Sequence, residues 1–438
     1  MIHPQAPLAT SDLGSPAGAA DDLWIVLPHL GAGGAQKVAV LAAAHFQAEG
    51  FQVRLVSFLP VTPVHALPEG VGHLDLGPAV ELAWKGNHWN RSPLARVRRF
   101  LRAQGWRLRR QLIRLIVLVF WSRISREARP GRRHPSVGLL RWCVRGLSGP
   151  QAALLDQALE AHRPPRVLAM LSRTNMITCM ALWNRATHLV VSERNDPARQ
   201  RLPYPWPRLQ RLLFQRADVV TANTEGVMRA LAAMPGLQRL ELLPNPLPAL
   251  ITPGEVAADS ARPAGFVSVG RLVHQKGLDV LLEALARCNG PAASWPLALV
   301  GDGAERMALE RQAADSGLAE RVQFAGFQRD PLPFLMGASV FVLPSRFEGM
   351  PNALLEAMAA GLAVIVSDAS PGPLEVVEHR RSGLVVPAGD VEALAAALEE
   401  LAADPQLCRD FGSAARRRIA ALDWPALEPI WRSVLALP

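Results

Sequence analysis

The chain has little of several features that define common classes of protein. Four cysteines occur in 438 residues, at Cys143, Cys179, Cys288 and Cys408, and no two of them form a CxxC pair. Their scatter excludes the spacing of structural zinc sites and of secreted disulfide frameworks, so a reducing cytoplasm is the expected compartment. There is also no DxD motif and no histidine cluster with the spacing of metal ligands. We therefore expect neither a metal nor a cofactor.

Lysine is rare, because only Lys37, Lys85 and Lys276 occur among 47 basic residues. A lysine within a motif is therefore a candidate functional residue. The net charge of +9 comes from one segment: residues 91–133 contain fourteen arginines and one glutamate, a local charge of +13. The rest of the chain is therefore mildly acidic, which argues against a general affinity for nucleic acid.

Short apolar, β-branched runs alternate with helix-length stretches in two series, from DLWIVLP to ADVVTAN and from FVSVGRL to GLVVP. This alternation predicts an α/β protein with two tandem Rossmann-like domains, each with a parallel sheet, facing a central cleft. We expect a disordered leader at 1–20, a first domain at 21–245 with a basic amphipathic insertion at about 85–145, a proline-rich linker at 246–263, a second domain at 264–415, and a C-terminal helix at 416–438 that returns to the first domain.

Two cations stand close together in GRLVHQKG, residues 270–277. Arg271 and Lys276 follow a predicted strand and are flanked by glycines. Arginine binds phosphate oxygens with two N–H groups and lysine supplies a mobile point charge, so the pair suits a diphosphate. The alternative is a basic loop exposed to water. The scarcity of lysine and the position at a strand end favour the diphosphate.

The glycines of GAGG, residues 31–34, open the first predicted helix. Gly33 and Gly34 allow the backbone to approach a ligand, and a helix N-terminus attracts anions. The motif has neither the GK[ST] ending of a P-loop nor the GxGxxG pattern. A tight turn without a ligand is the alternative.

Two acids lie eight positions apart in VFVLPSRFEGMPNALLEAMAAG, residues 340–361. Glu348 is in a predicted loop and Glu356 in the first turns of the following helix, so both can face a ligand at the helix N-terminus. Carboxylates accept hydrogen bonds from vicinal hydroxyls, so the two could hold a sugar ring at each end of a diphosphate. Alternatively, Glu356 only stabilises the positive helix end, which leaves Glu348 unexplained. The loop between them is predicted to hold the remaining polar groups: Gly349, Met350, Pro351, Asn352 and Ala353.

EGMPNALLEAMAAG, GRLVHQKG and GAGGAQKV together resemble the retaining nucleotide-sugar glycosyltransferases of family 4, which have the GT-B fold. The resemblance implies that Glu348 and Glu356 form the E-x7-E motif of that family, with Glu348 on the hydroxyls of the donor sugar and Glu356 on the ribose. It gives the donor diphosphate to Arg271 and Lys276, and the floor of the acceptor side to the 31–34 loop.

The same resemblance places a further loop on the donor side. FAGFQRD matches where the family holds the base, which implies Phe327 and Gln328 as donor residues. We also expect Gly301 and Asp302 of LALVGDG, which follows a predicted strand of the same domain, to contact the donor.

VVSERNDP, residues 190–197, resembles a segment of family members that add hexosamines or hexoses to polyprenyl-diphosphate-linked glycans in bacteria. On this resemblance Arg194 attracts the acceptor diphosphate, with Glu193 beside it and Arg173 of LSRTN assisting. The alternative is a structural salt bridge between Glu193 or Asp196 and a nearby arginine.

The basic segment shows helical spacing over residues 94–126. One side carries Arg96, Arg99, Arg107, Arg110 and Arg114, and the other side carries Leu101, Leu108, Leu112, Leu115 and Val119, with Trp106, Phe120 and Trp121 as aromatic anchors. Its unbroken apolar run, residues 115–121, falls far short of the roughly 20 residues that span a bilayer, but arginine beside tryptophan suits an anionic membrane surface. Alternatively, the apolar side packs on its own domain. Gly105 argues against one continuous helix.

These observations predict an enzyme, a metal-independent hexosyltransferase. We expect it to move a sugar from a nucleoside-diphosphate sugar, with a UDP-sugar favoured, to a lipid-linked or cell-surface oligosaccharide, at the inner face of the cytoplasmic membrane and without nucleic acid. Retention of anomeric configuration follows from the resemblance alone. The alternatives are a phosphorylase or hydrolase on the same fold, or a non-catalytic, membrane-associated scaffold of a glycan-assembly complex.

Overall fold

The computed structural model describes residues 21–85, 93–195, 202–247 and 262–438. The predicted leader, Asp196 and residues 248–261 of the predicted linker lie outside the described residues. The described part contains two separate parallel sheets.

The first sheet contains β1 (Leu23–Leu27), β2 (Val53–Ser57), β3 (Gly72–Asp75), β4 (Arg166–Met170), β5 (His188–Glu193), β6 (Val219–Ala222) and β7 (Leu240–Leu242). Their order is β3-β2-β1-β4-β5-β6-β7, and every neighbouring pair is parallel. All five residues of β1 are buried, because helices cover both faces of the sheet. The sequence analysis did not predict the short edge strand β7.

The second sheet contains β8 (Phe266–Val269), β9 (Leu297–Val300), β10 (Val322–Gly326), β11 (Val340–Leu343), β12 (Ala363–Ser367) and β13 (Leu384–Val386). Their order is β10-β9-β8-β11-β12-β13, again with parallel pairs throughout. The order reverses direction beside the first strand of each domain, which is where doubly wound sheets bind ligands. The predicted pair of parallel α/β domains is confirmed.

Helices connect the strands of the first domain: α1 (Gly34–Ala48), α2 (Gly77–Lys85), α3 (Pro93–Val119), α4 (Trp121–Glu127), α5 (Pro135–Ser148), α6 (Pro150–His162), α7 (Ser172–Ala181), α8 (Trp206–Leu213) and α9 (Glu225–Ala232). The second domain contains α10 (Leu278–Arg287), α11 (Arg306–Asp315), α12 (Leu332–Met336), α13 (Asn352–Ala359), α14 (Pro371–Val376), α15 (Val391–Ala403) and α16 (Pro405–Ile419). The chain ends in α17 (Trp424–Leu435).

The C-terminal helix returns to the first domain, as predicted. Ile419 at the end of α16 still packs in the core of the second domain. Trp431 and Leu435 of α17 share a core cluster with Ile25 and Val190 of the first sheet. The crossing therefore falls at residues 420–423, a few residues after the predicted boundary at 416.

Most of the basic segment forms one helix, α3, which continues through Gly105, and its last residues belong to the short helix α4. Ile113 and Val117 are fully buried against the first domain, so this helix is anchored by a narrow apolar stripe. The side predicted to be apolar is not the buried one, because Leu108, Leu112, Leu115 and Val119 are 50–65% exposed. Among the described residues, no helix has the length and apolar character needed to cross a membrane.

Candidate active site

The two domains meet at a cleft of about 660 Å³, into which the carboxyl ends of strands from both sheets lead. Nearly all of the predicted site residues line it: Gly33, Gly34, Arg194, Arg271, Lys276, Gly301, Asp302, Phe327, Gln328, Glu348, Gly349, Met350, Pro351, Asn352, Ala353 and Glu356. Arg173 and Glu193 do not.

Lys276 and Glu348 form an ion pair in the second domain. A short 3-10 turn after β8 ends at Gly277, whose φ of +63° lies in the left-handed region that favours glycine. A Cβ at Gly277 would lie 2.2 Å from the carbonyl oxygen of Pro344, so the two loops touch. This contact brings Nζ of Lys276 to 2.6 Å from Oε1 of Glu348. Both side chains are largely buried, where screening by water is weak.

The carboxylate of Glu348 is held in place by its own loop. Oγ of Ser345 donates to Oε1 of Glu348 at 2.7 Å, and the N–H of Glu348 donates to Oγ of Ser370 at 2.9 Å. Nζ of Lys276 approaches the same oxygen. Both donors to the carboxylate therefore contact Oε1, and Oε2 accepts no hydrogen bond from the described residues.

Arg271 lines the cleft beside this pair but is more exposed. Its Nη2 donates to Oε1 of Gln275 at 3.3 Å, and Nε2 of Gln275 donates to the carbonyl oxygen of Phe347 at 2.9 Å. Within the described ranges, no carboxylate lies at ion-pair distance from Arg271. Its charge is therefore available to an anionic ligand.

Glu356 pairs with a lysine from the opposite domain. It lies in the second turn of α13 and is 5% exposed. Nζ of Lys37, near the start of α1, lies 2.7 Å from Oε1 of Glu356. Burial raises the pKa of the Glu356 carboxyl, and the charge and hydrogen bond of Lys37 oppose that rise. The second acid of the pattern is thus part of an ion pair that crosses the cleft.

Asparagines join the domains beside the same ion pair. Nδ2 of Asn352 donates to the carbonyl oxygen of Gly34 at 2.9 Å. Nδ2 of Asn245 donates to the carbonyl oxygen of Met350 at 3.1 Å and to Oδ1 of Asn352 at 2.5 Å. The start of α13 is therefore hydrogen-bonded to the first domain on two sides.

Close backbone contact explains one glycine of EGMPN. A Cβ on Gly349 would lie 2.3 Å from the carbonyl oxygen of Arg194, which belongs to the other domain. Only glycine permits this approach without movement of one of the two loops. Gly349 therefore helps to determine how far the cleft closes.

Arg194 lies deep in the cleft. It is 6% exposed, and its Nη1 donates to Oδ1 of Asn245 at 2.5 Å. Its Cζ lies 5.9 Å from the ring centre of Trp431 on α17. Desolvation lowers the pKa of this guanidinium to about 9, and in the described part of the chain its Nε and Nη2 have no hydrogen-bond partner. A buried, partly unsatisfied cation of this kind favours an anionic ligand.

Glu193 and Arg173, predicted beside Arg194, point elsewhere. Glu193 is 1% exposed and accepts from Oγ of Ser172 at 2.7 Å and from Nδ2 of Asn175 at 2.9 Å. Glu193 is the last residue of β5 and bonds to side chains of α7 and α8, whereas Arg194, the first residue after the strand, lines the cleft. Burial raises the pKa of Glu193 to about 7. Its described partners are polar groups, and the predicted alternative of a salt bridge to arginine is not found among them.

Arg173 lies over an aromatic ring on the outside of the cleft. Its Cζ is 5.3 Å from the ring centre of Trp206. Burial and the charge of Arg110, from the basic helix α3, both lower the pKa of Arg173. The structure therefore associates Arg173 with the basic segment.

The other donor-side residues lie where the strands of the second sheet end. Gly301 has a φ of +144°, and a Cβ there would lie 1.8 Å from the carbonyl oxygen of Gly270, so β8 and β9 end in direct backbone contact. Phe327 is 44% exposed and lines the cleft, and Nε2 of Gln328 donates to the carbonyl oxygen of Ala325 at 2.8 Å. The carboxylate of Asp302 accepts from the N–H of Gly303.

Two residues of this site were missed by the sequence analysis. Lys37 is within the quoted GAGGAQKV motif and is one of three lysines, so its rarity was an available signal. Asn245 lies in LLPNPLPAL, which was interpreted only as linker, and no sequence signal distinguishes it. Both act across the cleft, and contacts between domains have no periodicity in the sequence.

One group of possible metal ligands lies far from the cleft lining. Ligand atoms of His45, Glu49 and Glu428 lie within 4.8 Å of one another. Arg432 already donates to Glu428 at 2.6 Å and to Glu49 at 3.1 Å. The arrangement is therefore an ion-pair cluster neutralised by arginine.

Known proteins resemble the chain in sequence. A family model described as glycosyl transferases group 1 matches residues 259–418. The lipopolysaccharide core biosynthesis glycosyltransferase LpsE of Rhizobium meliloti is 36% identical over 251 residues, which cover 56% of this chain and 71% of LpsE. A Campylobacter jejuni enzyme, N-acetylgalactosamine-N,N'-diacetylbacillosaminyl-diphospho-undecaprenol 4-alpha-N-acetylgalactosaminyltransferase, is 26% identical over 262 residues, which cover 58% of this chain and 71% of that one. Some other relatives are matched over less than half of their length.

A solved structure resembles the fold over almost the whole chain. The structure of Anabaena HepE in complex with UDP has a TM-score of 0.66 at 18% identity and covers 95% of this chain and 100% of that one. Two parallel α/β domains with a shared cleft define the GT-B class of glycosyltransferase. Within that class, the chain belongs to the group 1 glycosyltransferases.

Proposed function

We propose that this glycosyltransferase moves a hexose or N-acetylhexosamine, with retention of anomeric configuration and without a metal, from a UDP-sugar to a lipid-linked or cell-surface oligosaccharide in polysaccharide biosynthesis. One observation carries the proposal: Arg271, Lys276, Glu348 and Glu356 all line a single cleft of about 660 Å³. A cleft of this size suits a molecule as large as a nucleotide sugar. The names of the relatives, which include lipopolysaccharide core biosynthesis and transfer to a diphospho-undecaprenol, support the process.

In the proposed reaction the diphosphate is the leaving group, and its developing charge needs the most stabilisation. Lys276 and Arg271 supply two positive charges on loops that backbone contacts hold in place. Because an ammonium has three N–H donors, Lys276 can bind a phosphate oxygen while its contact with Glu348 persists. Charges positioned before the reaction dominate catalysis of this kind, and here they take the part that a metal plays elsewhere.

The two acids would hold hydroxyl groups at either end of the donor. Lys276 and Ser345 both contact Oε1 of Glu348, and Oε2 is proposed to accept from the donor sugar. Glu356 is proposed to accept from the ribose. Between them, the first N–H groups of α13 have no partner within the helix, and a helix N-terminus favours the anionic centre of the donor.

Exposed Phe327 and neighbouring Gln328 are proposed to contact the base, and Gly301 and Asp302 the donor beside the diphosphate. The known proteins similar to this chain use more than one donor. Two mycobacterial relatives are GDP-mannose-dependent by name, whereas HepE was solved with UDP and with UDP-glucose. UDP-GalNAc, UDP-GlcNAc, UDP-galactose and GDP-mannose are therefore the donors to compare.

For the acceptor, we propose that Gly33 and Gly34 form the floor and that Arg194 attracts a diphosphate on the lipid-linked glycan. Arg194 has buried N–H groups without partners in the described part of the chain, which is the observation that supports this role. Arg173 would act further out, together with Arg110 of α3. Glu193, which accepts hydrogen bonds from α7, is proposed to stabilise this end of β5 without contacting the acceptor.

The basic helix α3 is proposed to bring the first domain to an anionic membrane surface that carries the acceptor. Its exposed face combines Arg107 and Arg114 with Leu108, Leu112 and Leu115. Basic residues beside exposed apolar ones are typical of helices that lie in the headgroup layer. Each arginine near such a surface contributes on the order of 1 kcal/mol.

The test is a panel of the four nucleotide sugars, scored first by ligand-induced thermal shift of the purified protein. A shift with one of them identifies the donor. Release of the nucleoside diphosphate is then measured with and without a polyprenyl-diphosphate-linked glycan. Release that requires the acceptor supports a transferase, release without it supports a hydrolase, and binding of no nucleotide sugar supports a scaffold and contradicts the proposal.

A further inference from the structure

Glu356 and Lys37 form an unusual contact, because the two partners belong to different domains and both line the cleft. Glu356 is the more buried: 7% of its side chain is exposed, against 22% for Lys37. A buried carboxylate that loses its cation tends to take up a proton, because burial disfavours the charged form. The state of Glu356 therefore depends on how close the other domain lies.

Two other titratable groups among the described residues interact electrostatically with the pair. Asp330, in the loop before α12, is the second charge that acts on Glu356, and it raises the pKa of the Glu356 carboxyl. Burial and the charge of Lys37 lower the pKa of His65, which lines the same cleft. Among the groups known to face the pair, Lys37 alone therefore favours an ionised Glu356.

Two neighbouring contacts keep Lys37 in reach. Nδ2 of Asn352 donates to the carbonyl oxygen of Gly34. Gly34 lies three residues before Lys37 in α1, and Asn352 lies four residues before Glu356 in α13. Asn245 holds Asn352 in turn. The N-terminal ends of α1 and α13 are thus tied together beside the ion pair, which sets the distance between the two charges.

We infer that Lys37 is a positioning residue for the donor: from the first domain it holds Glu356 as an oriented carboxylate for the ribose hydroxyls, and thereby makes donor binding depend on closure of the two domains. This inference rests on the proposed function, in which Glu356 binds the ribose. It assigns a donor-binding role to a residue of the domain that otherwise serves the acceptor. A neutral Glu356 would offer a weaker acceptor to the hydroxyls than a carboxylate does.

The experiment measures the affinity of UDP alone and of 2′,3′-dideoxy-UDP by calorimetry, for the wild type, Lys37→Met and Lys37→Arg. We expect Lys37→Met to weaken UDP binding about tenfold and to leave the dideoxy compound unaffected, because only UDP has the hydroxyls that Glu356 accepts. Lys37→Arg should restore most of the affinity. Loss of the cation raises the pKa of Glu356 further, so Glu356 becomes protonated at a higher pH in Lys37→Met than in the wild type. When the pH is lowered, UDP binding should therefore begin to weaken at a higher pH in this variant.

Glu375→Ala is the matched control. Glu375 also joins the domains, because its carboxylate accepts from the N–H groups of Glu225 and Gly226 at 3.0 Å, but it lies outside the cleft lining. We expect it to change neither the ratio of UDP to dideoxy-UDP affinity nor the pH at which UDP binding weakens. Thermal melting of each variant reports whether the fold is retained, and Lys37→Arg keeps the test valid if Lys37→Met is unstable.

Two results would overturn the inference. Unchanged or tighter UDP binding by Lys37→Met would show that Lys37 is neutral or competes with the donor for Glu356. An equal loss for UDP and dideoxy-UDP would show that Lys37 acts on the phosphates or on the fold. Failure of the proposed function is distinguishable, since it would appear as absence of UDP and GDP binding by the wild type itself.

Discussion

Nζ of Lys276 lies 2.6 Å from Oε1 of Glu348, although the two residues are 72 positions apart in the chain. The contact joins the loop after β8 to the loop after β11, which are adjacent strands. It places a cation proposed to bind the diphosphate beside an acid proposed to bind the sugar. In the proposed reaction, the bond between the sugar and the diphosphate would break at this position. Substitutions in this pair therefore test the proposed chemistry directly.

Lys276→Ala should reduce kcat by about 10²–10³, because a preorganised charge on the leaving group is lost. Steady-state kinetics with the identified donor measures the effect, and thermal melting shows whether the fold is retained. Arg381→Ala, at an exposed position outside the cleft lining, is the control and should leave kcat unchanged. An intact Lys276→Ala protein with normal turnover would contradict the assignment.

Glu348→Gln and Glu356→Gln should have different effects. Glu348 is proposed to bind the sugar that reacts, so Glu348→Gln should lower kcat by about 10²-fold. Glu356 is proposed to bind the ribose, which does not react, so Glu356→Gln should mainly raise the donor KM, by about tenfold. If the two variants lost kcat to the same extent, the assignment of Glu348 and Glu356 to opposite ends of the donor would be wrong.

Gly349→Ala should open the cleft, because its Cβ would lie 2.3 Å from the carbonyl oxygen of Arg194 across the domain boundary. A displacement of about 1 Å at reacting groups lowers turnover on the order of 10²-fold. Kinetics and small-angle scattering measure the two consequences. Gly389→Ala is a useful control, since a Cβ there meets no atom within 4 Å, although its positive φ should lower the melting temperature slightly.

Glu193 should make stability depend on pH. Burial raises the pKa of its carboxyl in the folded protein from the ordinary 4.5 to about 7. The folded state therefore binds the extra proton between these values, so the free energy of unfolding should fall as the pH rises from 4.5 to about 7 and then level off. Glu193→Gln keeps acceptor and donor groups for Ser172 and Asn175 and should remove this dependence, worth roughly 3 kcal/mol at most.

Urea unfolding at a series of pH values measures the dependence on Glu193. The exposed Glu320→Gln serves as the control and should follow the wild-type curve. The prediction requires Glu193→Gln to be more stable than the wild type at pH above 7 and similar to it near pH 4.5. A constant difference at every pH would mean that the charge of Glu193 is not the cause.

Leu112→Glu combined with Leu115→Glu should weaken binding to anionic vesicles by about tenfold or more, because each change removes an exposed apolar group and adds a repelled charge. Both side chains are at least half exposed, so the fold should be retained. Deleting residues 94–126 would be a poorer experiment, because it also removes the fully buried Ile113 and Val117. Co-sedimentation with vesicles is the measurement.

Met307→Glu provides the control for the vesicle experiment, because Met307 is 74% exposed and lies on α11 in the second domain. It should bind vesicles as the wild type does. Equal binding by all three proteins would leave α3 as a helix that packs on its own domain through Ile113 and Val117, with its arginines in water.

Much of the fold was predictable because parallel strands buried on both faces appear as continuous apolar runs. β1, β6 and β12 are examples, since every residue of these strands is buried and a helix follows each of them. The predicted positions of Glu348 in a loop and of Glu356 in the first turns of the next helix agree with the start of α13 at Asn352. The edge strand β7, with three half-buried residues, carries too weak a pattern to predict.

The basic segment shows where sequence periodicity fails. Helical spacing alone predicted one apolar side, and Leu108 and Ile113 both fit an apolar stripe somewhere on the helix. Which stripe is buried depends on where the domain surface lies, and Ile113 was not among the residues first assigned to the apolar side. Gly105 did not interrupt the helix, because one glycine costs only about 1 kcal/mol relative to alanine.

The class of fold and the kinds of side chain at the site can be predicted from the sequence, because strand and helix patterns are local and the motifs lie within single loops. The partners of these side chains depend on the folded chain: Lys276 with Glu348, Lys37 with Glu356, and Asn245 with Asn352. It also decided that Arg194 faces the cleft and Glu193 does not. The reason is physical, since the pairing of charges depends on distances between loops of different strands and domains, and no local pattern in the chain records those distances.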